Sequence, residues 1–241
     1  MKTQNKTTSI LRSWYDFKLT IFFEGILVGI IAGLITVLFR ILIEKSEALT
    51  HRIYQYLLEG HIFAILGWFS LLIAAAIFVG YLVTKTPMIS GSGIPQVKGY
   101  LLRQLDMEWI KVLPGKFLGG ILSIGAGLSL GREGPSIQLG ASAGKGVGKL
   151  LKRPDIEEKY LVLGGAGAGL AAAFNAPLAG VMFVMEELQK GLSPAALACA
   201  MGACVAAHFV SKQIVGLSPA FQFTNINALP LKYYPILIVL A

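Results

Sequence analysis

The run Gly131-Arg132-Glu133-Gly134-Pro135 decides how this chain is read. Pro135 marks a helix start, and Gly134 lets a ligand approach the backbone with no side chain in the way. The free N–H groups of a first helical turn and the positive end of the helix dipole converge on one spot. Such a spot attracts anions. Glu133 places an ionisable carboxylate at the same position. Its plain reading is an acid that complements a helix N-terminus. Its functional reading is a carboxylate that occupies the anion position when charged and swings away when protonated or displaced.

Composition decides what surrounds this motif. Apolar residues make up 55% of the 241 residues and charged residues 14%, against about 25% charged in a soluble domain. Mean hydropathy is +0.68. The bilayer is the expected solvent, and intramembrane carboxylates are functional by default because isolated ones are expensive. The 28 glycines fit close helix packing in lipid. A net charge of +8 raises the question of nucleic acid, but no separable basic module exists, so the basic residues read as cytoplasmic loop charges. Lys2, Lys6, Arg12 and Lys18 precede the first span, so residues 1–18 read as a cytoplasmic basic N-terminus and 19–241 as a membrane domain. Cys199 and Cys204 lie in an apolar run and read as packing residues.

Upstream, apolar spans are expected from about Ile21 to Ile43, with Glu24 and Arg40 reaching the headgroups at its ends, and from about Ile62 to Val83. Beyond Lys85 the apolar pieces are short and broken. Leu113 to Leu130 reads as a plain span, and Gly131 to Leu151 as an interrupted one. Discontinuous helices of this kind aim their N-termini at a site near the midplane. Lys145 to Lys159 reads as a charged cytoplasmic loop, followed by a helix from about Tyr160 to Phe174. Asn175-Ala176-Pro177 breaks that helix, and the return segment ends in Glu186-Glu187. Pro194 to Val215 is a further span, and the run Tyr233 to Ala241 stops in mid-hydrophobic stretch, as a cut chain would.

Gly91-Ser92-Gly93-Ile94-Pro95 repeats the arrangement of the first motif, with a serine hydroxyl and neighbouring amides ahead of a short helix. Two helix N-termini with no basic side chain at the ion would hold an anion by partial charges, weakly enough to let it go. Arg132 reads as a structural partner that holds the loop, or as a charge that draws anions toward the mouth.

These two motifs, with Ala173-Phe174-Asn175-Ala176-Pro177-Leu178-Ala179-Gly180, resemble the chloride channel and transporter (CLC) family in order and spacing. The resemblance implies an all-α polytopic membrane protein: the first inverted repeat, or N-terminal half, of that fold, with short discontinuous helices. It implies an anion site at Ser92, with Gly91, Gly93, Ile94, Gly134 and Pro135 around it. It implies that Glu133 is the gate and outer proton carrier, and Glu187 the inner proton acid of the family's exchangers. Channel members generally lack an acid there, so chloride/proton antiport is expected over a passive chloride channel. Serine in the first motif, where nitrate-preferring relatives carry proline, favours chloride. The resemblance further implies a multi-pass cell-membrane homodimer joined through helices within 177–215, no soluble cofactor, and a second half. That half would bring a Gly-x-Phe-x-Pro motif and a tyrosine hydroxyl; Tyr233 and Tyr234 do not substitute for them.

Other readings of the same residues remain. Leu161 to Gly169 is similar to a strand entering a dinucleotide-binding turn, but Ala166 replaces the second glycine and Pro177 breaks the helix. Gly140 to Gly146 has one residue too few for a phosphate loop. His51, His61 and His208 lack ligand spacing, so no metal is expected. An incomplete half-transporter that needs a partner half, or whose role is assembly, is the remaining alternative.

Overall fold

The computed structural model describes residues 2–60 and 62–216, with side chains from 16 onward. Lys2, Lys6 and Arg12 as charges, His61, and the run Tyr233 to Ala241 with its two tyrosines lie outside the described residues. Among the described residues every regular element is helical: α1 (Lys2–Leu57), α2 (Ile62–Lys85), a 3-10 turn (Pro87–Ile89), α3 (Ile94–Leu101), α4 (Trp109–Gly125), α5 (Glu133–Leu150), α6 (Asp155–Phe174), α7 (Pro177–Phe183), a π turn (Val184–Gln189) and α8 (Pro194–Val215).

The glycine-rich helices α5 and α6 form the centre, with α1 and α8 packed beside them. Lipid tails are as apolar as leucine, so helices gain little by hiding leucine from lipid and must gain by approaching closely. A Cβ on Gly140 would stand 2.1 Å from the Gly165 carbonyl oxygen, and one on Gly144 2.2 Å from that of Leu161. At the α1–α8 seam, Gly25, Gly29 and Gly33 recur every fourth residue and meet Cys199, Ala203 and Ala207, also four apart. Period four places each set on one helix face. Cys199 and Cys204 are buried free thiols within this packing.

The breaks fall where local chemistry puts them. Gly93 enters α3 at φ 104°, a conformation suited to glycine, with Pro95 in the first turn. Asn175 ends α6 in the left-handed region, and Pro177 opens α7. Acids Asp155, Glu157 and Glu158 fill the first turn of α6, where the helix dipole favours them.

Four expectations need correction. From Asp16, α1 runs 42 residues, about 63 Å and twice the roughly 30 Å hydrocarbon core. The apolar run 21–43 is only its middle, and the polar residues after it continue the helix. Glu24 and Arg40 do not reach for headgroups: both are buried, Glu24 bonded to Arg153 and Arg40 to Glu44 at 2.8 Å. Residues 145–159 are not a loop. α5 continues to Leu150 and only 151–154 connect it to α6. Lys145 is buried against Asp106 at 3.1 Å and over the Tyr100 ring, and buried Glu158 meets Lys149 at 3.1 Å. Finally, α4 ends at Gly125 with Pro114 inside it, so Leu128 to Leu130 belong to the connection that leads to Glu133.

Candidate functional site

The two glycine-proline motifs cross. A Cβ on Gly134 would lie 2.3 Å from the Ser92 carbonyl oxygen, and one on Gly93 would lie 3.0 Å from the Gly134 carbonyl oxygen. Only glycines allow this contact, and it brings the starts of α3 and α5 together. Glu133 is the first residue of α5, so the helix opens two residues before Pro135. Between and around the motifs lies a cavity of about 530 Å³ whose wall includes Ser92, Lys116, Glu133, Gly134 and Pro135. Gly91 and Ile94 also line it, whereas Gly93 packs behind, against Gln138. The Glu133 side chain is exposed to this space. Ser92 Oγ accepts a long bond from the Ile94 amide at 3.4 Å, which leaves its own proton to donate elsewhere.

The loop ahead of Ser92 is held by side chains from three helices. Gln138 Nε2 donates to the Met88 carbonyl at 2.7 Å, and Gln96 Nε2 to that of Ser90 at 2.9 Å. Lys116 Nζ donates to Ile89 at 3.0 Å and to Gly91 at 2.7 Å. Four consecutive carbonyls, 88 to 91, are thus each bound to a side-chain donor. A basic side chain does line the cavity, contrary to the sequence expectation. Its charge is directed at two carbonyl dipoles. In the sequence Lys116 is hidden in a run that otherwise reads as a plain span, and a lysine in such a run is itself the available signal.

Arg132 engages Glu44 at 3.4 Å, and Glu44 also takes the Arg40 bond. Glu187 is outside this cavity. It lies on the π turn after α7 and accepts from Lys98 Nζ of α3 at 2.7 Å. The site residues therefore fall into two groups, Ser92 with Glu133 at one end of α3 and Glu187 near the other.

The sequence model of the voltage gated chloride channel family matches residues 74–241. The chain belongs to that family. Over 177 residues it is 42% identical to the H(+)/Cl(-) exchange transporter ClcA of Cronobacter sakazakii, a match covering 71% of this chain and 37% of that protein. The Vibrio vulnificus protein of the same name is 39% identical over 175 residues, with the same shares of each chain. Among solved structures, a slow cyanobacterial Cl-/H+ antiporter aligns with TM-score 0.74 and 34% identity, covering 91% of this chain and 52% of that one. A CLC-type fluoride/proton antiporter aligns with TM-score 0.68 and 25% identity, covering 92% and 53%. The chain spans about a third of the length of the curated relatives it matches and about half of the solved ones. The fold is accordingly about half of the CLC fold.

Proposed function

We propose that this chain forms the first half of a chloride/proton exchanger in the cell membrane, with Glu133 as its gate. The observation that carries the reading is the shared cavity of Ser92 and Glu133, between two helix starts in backbone contact. Chloride would be held there by the Ser92 hydroxyl and by the dipoles and free amides of α3 and α5. The side-chain donors on carbonyls 88 to 91 compete for those oxygens and leave the amide side of the loop for the anion.

An ionised Glu133 and a chloride at this site would exclude each other. Two unit charges about 4 Å apart repel by roughly 4 kcal/mol at an effective dielectric of about 20, close to a thousandfold against joint occupancy. Protonation removes that repulsion, so a proton taken up at Glu133 and a chloride admitted to the site are linked. Glu187 would deliver protons from the opposite, cytoplasmic side. Its acid favours exchange over the second reading, a passive chloride channel. A half-transporter that needs a separate second half is the third.

The same reading has residues 1–18 as a cytoplasmic segment, 19–241 as membrane domain and no soluble cofactor. It places the contact with a second copy within 177–215, where Leu178, Met182, Val205 and Phe209 are exposed apolar side chains. The test is transport by the protein expressed from its full reading frame in liposomes. A chloride gradient drives protons uphill, and Glu187→Val keeps chloride flux while losing that proton movement. Unchanged proton movement in the variant removes Glu187 from the route.

A further inference from the structure

We propose that Lys98 is a positioning residue for the inner proton acid, setting the pH range over which Glu187 accepts protons. The inference rests on the reading of Glu187 given above.

Lys98 Nζ lies 2.7 Å from Glu187 Oε1, joining residues 89 apart in sequence. The pair is therefore built by the tertiary fold and is no by-product of helical spacing. The Glu187 side chain is 49% exposed and that of Lys98 28%, so the contact is only part-buried, with the ammonium held beside the carboxylate. Lys98 stands in the last turn of α3, the short helix that Ser92 precedes. Four helical steps of about 1.5 Å each, roughly 6 Å, separate the start of α3 at Ile94 from this lysine. One short helix thus joins the loop that holds Ser92, just ahead of its first turn, to the partner of the proton acid in its last turn.

The surroundings leave Lys98 in control. Glu187 belongs to a π turn, a widened geometry that recurs at functional sites. Val184, Met185 and Leu188 of that turn are buried in the apolar cluster shared with α6, α7 and α8. Among the described residues, the charges that act on Glu187 are Lys98, across from it on α3, and Lys190, on the residue that ends its own turn; Glu186 precedes it. An ammonium in contact with a carboxylate favours the charged form, so a proton must compete with Lys98 to neutralise Glu187. At neutral pH the inner acid is then slow to load, and acidification of its side of the membrane speeds it.

The experiment measures chloride-driven proton transport by the full-length protein in liposomes as a function of pH on the Glu187 side. Lys98→Gln is expected to move the midpoint to higher pH by about half to one unit, three- to tenfold in proton concentration, the small end of the range for a contact charge because the pair is part-exposed. Lys98→Arg keeps the wild-type profile, which a loss of folding would not do. Glu187→Gln abolishes coupling and makes Lys98→Gln silent. Lys98→Met replaces Lys98→Gln if the latter does not fold. An unmoved profile in Lys98→Gln, alongside uncoupling in Glu187→Gln, overturns the role of Lys98 and leaves that of Glu187 standing. Persistent coupling in Glu187→Gln overturns both.

Discussion

Gly134 and Ser92 touch backbone to backbone, so closely that a methyl group on Gly134 would stand 2.3 Å from the Ser92 carbonyl oxygen. The contact is what brings two separate helix starts together. It involves atoms that cannot rotate out of the way, so any side chain at 134 must push the motifs apart.

Gly134→Ala is therefore expected to destabilise the protein by about 1–3 kcal/mol, the usual cost of overpacking, and to weaken chloride binding at least tenfold. Gly131→Ala is the control, since nothing lies within 4 Å of where its Cβ would be. Thermal unfolding in detergent and chloride calorimetry on both variants check this. Equal behaviour of the two would contradict the crossing.

Lys116→Met removes the donor to two carbonyls and leaves them facing a buried apolar chain. A buried polar group left without its partner costs about 1–3 kcal/mol. The expected outcome is lower thermal stability together with weaker chloride affinity, because the freed carbonyls of Ile89 and Gly91 turn toward the anion. Calorimetry distinguishes this from a simple stability loss, in which the folded fraction would bind chloride as tightly as the parent.

Cys199 and Cys204 are fully buried where α1, α6 and α8 pack. A thiol reacts as an accessible thiolate. Neither cysteine is expected to react with a maleimide in native detergent solution, and both react after denaturation in dodecyl sulfate, as intact mass spectrometry would record. Rapid native labelling of either would mean that this seam is open.

The helix breaks were legible because their causes are local. Gly93 with Pro95, Glu133 with Pro135, and Asn175 with Pro177 each carry their instructions within three residues, and the structure breaks at all three. The ends of α1 were not legible, because polarity beyond Ile43 marks a change of solvent and does not end a helix. Glu24 was misread for a related reason: Arg153, its partner, is 129 residues away. Lys116 and Lys98 escaped in the same way, with partners 25 and 89 residues distant. Neither a backbone carbonyl nor a remote carboxylate leaves a pattern around the lysine that binds it. The helix start at Glu133 was legible because its motif is compact, and the structure adds the cavity that Glu133 shares with Ser92.

The most direct test of Glu133 as the gate is simultaneous recording of chloride and proton flux in liposomes for Glu133→Gln, whose amide imitates the protonated acid. Chloride flux that persists without dependence on external pH, with proton transport abolished, is the predicted result. Proton transport still coupled to chloride, with the parent's pH dependence, would contradict the assignment.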